Sequence, residues 1–245
     1  GIFAAVLMLA TGVAQAGVIQ TMDFSGPVAT GSSQAPNVWY TDRYAPAGFQ
    51  VSGSQLHLTV DETGAAANRG GAYSSTFYDT QGRKYDLQPE VTAVSVDMYI
   101  AQEFASANQR IGGLWGTAFT ASDMIAGVYP ILEFASDGGV ARFQGWDAAT
   151  GWKNYGLPSG FSYDTMYTLG FALNDGMVDY LLNGELLGSV NAFGGEYLGN
   201  AMLQGINKFQ VGDDFDSRTI VFDNLVASSS VPEPASLALA SFACA

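Results

Sequence analysis

Two dipeptides, Asp175-Gly176 and Asn183-Gly184, limit what this chain can fold into more than any other feature. Asp, Asn and Gly tolerate the positive φ that a two-residue hairpin loop needs at both central positions, and such a loop matches the right-handed twist of the strands it joins. Before the first turn, residues 165–174 place Tyr167, Leu169, Phe171 and Leu173 on one face by the two-residue period of a strand. Residues 177–182 lie between the turns and 185–190 follow the second. The pattern predicts a three-stranded antiparallel meander.

The same period recurs through the chain. In residues 91–100, Val94, Val96, Met98 and Ile100 alternate with Ala93, Ser95, Asp97 and Tyr99, the pattern of a strand buried on one side only. In residues 55–60, Leu56, Leu58 and Val60 alternate with His57 and Thr59. Further strands are predicted at 18–24, 73–78, 111–119, 129–134, 140–146, 208–211 and 219–226, and the turn at 148–151 predicts a hairpin between 143–147 and 152–156. Residues 80–84 (Thr-Gln-Gly-Arg-Lys) read as a polar turn. A helical period is admissible only within 194–203. The chain has 245 residues, 48% hydrophobic and 13% charged, enough to build one large β domain with a substantial core. The single cysteine, Cys244, rules out a disulfide within the chain, so stability must come from the core.

Nine Lys and Arg against 23 Asp and Glu give a formal charge of −14, which excludes nucleic acid as a partner. His57 is the only histidine and lies on the polar side of its strand, so no Ser-His-Asp arrangement and no His/Cys metal site is expected. Oxygen ligands are plentiful and leave room for a structural Ca²⁺, with Asp23 and Asp223 at the ends of the first and last strands, or the 212–216 acidic loop, as candidates. Residues 140–146 place Arg142, Gln144 and Trp146 on one face, and with Tyr99, Trp115 and Trp152 they form a candidate carbohydrate surface of flat rings beside planar polar groups. Trp146 and Trp152 also suit a cross-strand pair that holds the hairpin together.

The two ends carry addresses. Residues 2–10 form an apolar block too short to span a bilayer, and Ala14-Gln15-Ala16 follows as a small-x-small cleavage site, so residues 1–16 read as a signal peptide. At the other end Ser228-Ser229-Ser230 reads as a spacer before Val231-Pro232-Glu233-Pro234-Ala235 and an apolar run. The two prolines fix a short extended backbone there. This order resembles the PEP-CTERM sorting signal of Gram-negative bacteria, which implies an exosortase and the secretion machinery as partners and transient membrane contact through the tail. No basic cluster follows the apolar run, and both ends read as truncated. The expected organisation is a leader at 1–16, a β-sandwich at 17–227 and a sorting tail at 228–245, with an exported protein at the outer cell envelope or outside the cell.

The body has a resemblance of its own. Residues 167–173, Asp175-Gly176 and residues 178–184, with the closing 221–226, look like the late strands of concanavalin A-like (laminin-G-like) jelly rolls. The resemblance implies an all-β antiparallel jelly-roll β-sandwich. Glycoside hydrolases of that fold carry carboxylates on one strand as Glu-x-Asp-x-x-Glu, against which Glu133 and Asp137 have the wrong spacing and no third acid. The expectation is therefore a non-enzymatic protein, with no catalytic residue, that binds or scaffolds exopolysaccharide; the alternative is a polysaccharide-active hydrolase or lyase.

Overall fold

The meander forms where its turns dictate. Asp175 and Gly176 adopt φ of 47° and 76°, and Asn183 and Gly184 adopt 53° and 79°. In the computed structural model, which describes residues 17–65, 79–207 and 217–229, β12 (Thr165–Asn174), β13 (Met177–Leu182) and β14 (Glu185–Asn191) pair in sequence through these turns. They belong to a first sheet that continues from β12 through β7 (Ala93–Ile100), β16 (Ser217–Ser228) and β5 (Gln55–Asp61) to β4 (Gly48–Ser52), with β1 (Val18–Met22) also pairing β16. The second sheet runs β11 (Gly151–Gly156), β10 (Arg142–Asp147), β9 (Ile131–Ala135), β8 (Arg110–Phe119), β15 (Tyr197–Ile206), β6 (Thr80–Asp86), β3 (Trp39–Thr41), β2 (Thr30–Gly31). Every pairing among the described residues is antiparallel except β2 with β3. The all-β antiparallel jelly-roll sandwich expected from the sequence is the observed fold.

Alternation sets the core. Leu56, Leu58, Val60, Val96, Met98, Leu169 and Phe171 of the first sheet meet Leu114, Leu132, Phe134, Phe143 and Leu203 of the second, all with no exposed surface. Each such side chain contributes roughly 1.5–3 kcal/mol of burial, which is how a sandwich of this size holds without disulfides. His57 and Thr59 lie on the opposite side of β5, half-buried, as their strand period requires.

Three segments depart from the sequence reading. Residues 80–84 are not a turn but most of β6, which pairs β15 on one side and β3 on the other; the paired backbone, not side-chain polarity, makes it a strand. The helical period at 194–203 gives way to β15, where Ala201 and Leu203 face the core and Asn200, Met202 and Gln204 face away, all of them buried, so no polar alternation marks it. Ser228 is the last residue of β16, paired with Val18, and Ser229 N–H donates to Gly17 O, so the sandwich runs past residue 227. The leader, the predicted strands at 73–78 and 208–211, the acidic loop 212–216, the Pro-Glu-Pro box and Cys244 lie outside the described residues. Among the described residues no helix is long and apolar enough to cross a membrane.

Candidate functional site

The second sheet's outer face carries two rows of side chains fixed by register. Gln144, Glu133, Gly113, Gln204 and Gly82 stand opposite one another across β10, β9, β8, β15 and β6. Two residues along the strands, Trp152 pairs with Trp146, Ile131 with Trp115, Trp115 with Met202, and Met202 with Lys84. Trp115, Ile131, Met202 and Ile206 make a small apolar cluster separate from the core, against which Trp146 and Trp152 pack. Gly113 is required in the first row: a Cβ there would lie 2.3 Å from the Leu132 carbonyl oxygen and 3.1 Å from the Glu133 Cβ. The Glu133 strand can thus approach β8 closely.

Glu133 has no exposed surface although it points away from the core. Arg110 of β8 covers it as a two-pronged partner, Nε donating to Oε1 and Nη2 donating to Oε2 at 2.7 Å, and Gln144 Nε2 donates to Oε1 at 2.7 Å. Bidentate pairing of this kind fixes the carboxylate's plane as well as its charge. Burial works against the Arg110 charge, and the Glu133 carboxylate more than offsets it, so the guanidinium holds its proton above its ordinary range. The Arg110 guanidinium in turn lies 4.4 Å from the Trp152 ring centre and 6.0 Å from that of Trp115, while Arg43 lies 5.7 Å from Trp115. From Gln144 the network continues: Arg142 Nε donates to Gln144 Oε1 at 2.8 Å and Arg142 Nη2 donates to Asp137 Oδ1 at 2.7 Å. Two carboxylates, Glu133 and Asp137, therefore terminate one chain of hydrogen bonds. At the far side of the row, Asp42 takes Gln204 Nε2 at 3.1 Å, Arg43 at 3.1 Å and Lys84 at 3.0 Å.

The floor of the site is pinned from below. Tyr180, on β13 of the first sheet, crosses the core so that its hydroxyl donates to Trp146 O at 2.6 Å and accepts from Ile131 N–H at 3.3 Å. Gly145 makes this crossing possible, since a Cβ there would sit 2.8 Å from the Tyr180 ring. Trp115 Nε1, Asn200 Oδ1 and Gln204 Oε1, all buried on the outer face, have no hydrogen-bond partner among the described residues. A buried polar atom left unpaired costs about 1–3 kcal/mol, and these three open that many polar contacts on the outer face.

Of the sequence candidates, Trp115, Arg142, Gln144, Trp146 and Trp152 all converge here, and Trp146 and Trp152 are also the cross-strand pair anticipated, with ring centres 5.2 Å apart at 68°. Tyr99 does not join them: it lies on β7 of the first sheet, its hydroxyl on Asp164 Oδ1 at 3.2 Å. Asp137 opens a turn beyond the end of β9, as its Gly-Gly sequel suggested. Asp23 accepts from Ser25 N–H and Oγ, which hold its carboxyl below the usual range, and Asp223 accepts from Asn224 N–H. Among the described residues no three His, Cys, Asp or Glu gather in a metal-binding group. Sequence reasoning missed Arg110, Asp42, Arg43 and Gln204. The available signal was Glu133 itself, an acid inside the apolar strand Ile-Leu-Glu-Phe-Ala, which demands a cation nearby.

No protein-family description and no curated protein sequence matches the chain. Solved structures do. The catalytic domain of an endo-1,3-β-glucanase (laminarinase) from Thermotoga petrophila RKU-1 aligns with a TM-score of 0.56 at 10% identity, over 89% of this chain and 99% of that one. SCLam, a non-specific endo-β-1,3(4)-glucanase of family GH16, aligns at 0.57 and 12% identity over 89% and 92%. A GlcNAcα1-4Gal-releasing endo-β-galactosidase from Clostridium perfringens aligns at 0.59 and 9% identity over 91% and 65%. At such identity the likeness establishes a shared fold. It also corrects the expectation of a non-enzymatic binding or structural protein, since all three of these solved structures are, by name, glycan-cleaving hydrolases or their catalytic domains.

Proposed function

We propose that the chain is a polysaccharide hydrolase working on the outer face of the second sheet. The observation that carries this reading is Glu133, a carboxylate with no exposed surface, held in a fixed plane by Arg110 and Gln144 beside an aromatic wall on the solvent side of a sheet. Hydrolysis of a glycosidic bond needs one carboxyl group to protonate the leaving oxygen and a second carboxylate on the other side of the sugar. Glu133 takes the first role and Asp137 the second. The Asp137 side chain is 45% exposed and ion-paired with Arg142, within reach of an attacking water from which it accepts a proton. Once Arg110 has left, Glu133 takes up a proton from solvent; as the water oxygen bonds the anomeric carbon, the bond to the leaving oxygen breaks and that oxygen takes the Glu133 proton. Access requires the Arg110 side chain, 28% exposed, to leave Glu133, and a sugar ring competing for the Trp152 face displaces it. A reducing-end assay on laminarin, mixed-linkage β-glucan and agarose tests the reading: release from at least one, lost in Glu133→Gln and Asp137→Asn, is expected. Unchanged release in Glu133→Gln, or none from any of the three, would overturn it.

The same proposal includes export. The Ala14-Gln15-Ala16 site and the box Val231-Pro232-Glu233-Pro234-Ala235 support a secreted protein sorted by an exosortase to the outer envelope or the medium. A reporter fused to residues 217–245 should change its cell fraction when Glu233 and both prolines are replaced by alanine in a host that has an exosortase.

A further inference from the structure

Four residues beyond the Gly82–Gln204–Gly113 row, about 13 Å along the strands, Asp86, Asn200 and Thr117 stand opposite one another on the same outer face. They floor a pocket of about 620 Å³, within the range of small-ligand sites. Its wall is a stacked pair, Phe119 and Tyr197, with ring centres 5.5 Å apart at 16°, and Tyr197 is held in place by its hydroxyl donating to Asp123 Oδ1 at 2.7 Å. Asp86 is already committed, since Tyr40 Oη donates to Oδ1 and Gln34 Nε2 to Oδ2, each at 2.6 Å. Asn200 is 6% exposed and, among the described residues, its carboxamide oxygen has no donor, while Lys84, ion-paired with Asp42, borders the pocket. Rotation of the Asn200 amide, a soft two-fold torsion, turns that oxygen toward the pocket. The charges lining it are Asp86, Glu90 and Asp123 against Lys84 alone, which disfavours an anion.

A ligand that supplies a hydroxyl to Asn200, an oxygen to Lys84 and a flat apolar face to the Phe119–Tyr197 wall, without negative charge, is a neutral sugar ring. We propose that this pocket holds one neutral sugar unit of the glycan, anchoring the chain at a distance from Glu133. The inference rests on the outer face being a glycan-handling surface, but not on Glu133 being catalytic.

The test is a ¹⁵N NMR titration of the Glu133→Gln full chain with laminaritetraose, cellotetraose and neoagarotetraose in turn. At least one should shift the Asn200 side-chain amide and its neighbours Thr117 and Tyr197, and roughly tenfold weaker binding should follow Tyr197→Ala. Asn200→Ala, which removes the carboxamide oxygen that accepts the sugar hydroxyl, serves as the second variant if Tyr197→Ala fails to fold and should weaken binding similarly, read at Thr117 and Tyr197. Shifts confined to the Glu133 and Trp152 region would overturn the pocket while leaving the hydrolase reading intact. Shifts at Asn200 in a protein whose hydrolysis survives Glu133→Gln would support the pocket and remove Glu133 from the chemistry. No shift from any of the three at about 10 mM overturns the pocket as a sugar site.

Discussion

On the outer face of the first sheet, Asp97 accepts from Thr168 Oγ1 and from Asn224 Nδ2, Thr59 meets Thr219 across the strands, and Ser189 meets Asp179, all at partly exposed positions. On the outer face of the second sheet, Glu133 is sealed under Arg110, Trp115 and Gln204 are almost fully buried, and polar atoms including Trp115 Nε1, Asn200 Oδ1 and Gln204 Oε1 go unpaired among the described residues. The sheets share a core and strand number but solve different problems. Short polar pairs at a solvated surface are what solubility asks for and contribute little each. A desolvated ion pair with unpaired neighbours on the solvent side is a costly arrangement that the sandwich does not need for its own stability. The contrast teaches where the molecule's stability has been conceded, and that is the face on which hydrolysis is proposed.

The comparison can be broken at several points. Glu133→Gln keeps the side chain's shape but replaces one accepting oxygen with an NH2 that meets a donor, and removes the carboxylate, so hydrolysis should fall about 10²–10⁴-fold, read as reducing ends released per minute; Asp97→Asn on the opposite face should leave the rate unchanged. In urea unfolding, Arg110→Met should cost about 3–5 kcal/mol by stranding a buried carboxylate, and a loss no larger than that of an exposed pair would show that Glu133 is more solvated than its position implies. Tyr180→Phe removes the hydroxyl that ties Ile131 and Trp146 to the floor, for about 1–3 kcal/mol and a visible change in tryptophan emission. Smallest of all, Asp97→Asn should cost less than about 1 kcal/mol.

A pH titration sharpens the same contrast. Burial, with Asp147 nearby, lifts the Tyr155 phenol to about 12, and burial raises Tyr180 further still. A phenol whose folded pKa exceeds its unfolded value near 10 stabilises the fold fully below that value, and the contribution is lost as pH rises through the folded one. Tyrosinate absorbance should therefore rise in two stages, the second between about pH 10 and pH 12 and coincident with loss of the β-sheet circular dichroism signal. A single stage complete while the fold is intact would contradict the buried hydroxyl beneath the site.

Turn chemistry and alternation made most of the first sheet legible, because Asp175-Gly176, Asn183-Gly184 and the one-sided strands at 55–60 and 91–100 encode their structure locally. The second sheet was harder to read for the reason that makes it interesting. Its strands are buried on both faces, so β15 shows no polar alternation, and Gln81 and Arg83 made β6 look like a turn. The aromatic and amide half of the site, Gln144 with Trp146 and Trp152, was legible as one face of one hairpin. Arg110 was not, since 23 residues separate it from Glu133 and only the register of β8 on β9 brings them together. Along the chain the charged neighbour of Glu133 is an acid four residues away; across the sheet it is a cation.

The position of the last two strands has a kinetic consequence. β16 lies between β5 and β7, and β15 lies between β6 and β8, so each sheet is joined through a strand contributed late in the chain. Until residue 197 and those after it are available, each layer is two unjoined halves with open edges, a state prone to pairing with other chains. Such non-local closure predicts folding on the millisecond-to-second scale or slower. A chain cut before β15 should aggregate instead of folding to half the structure.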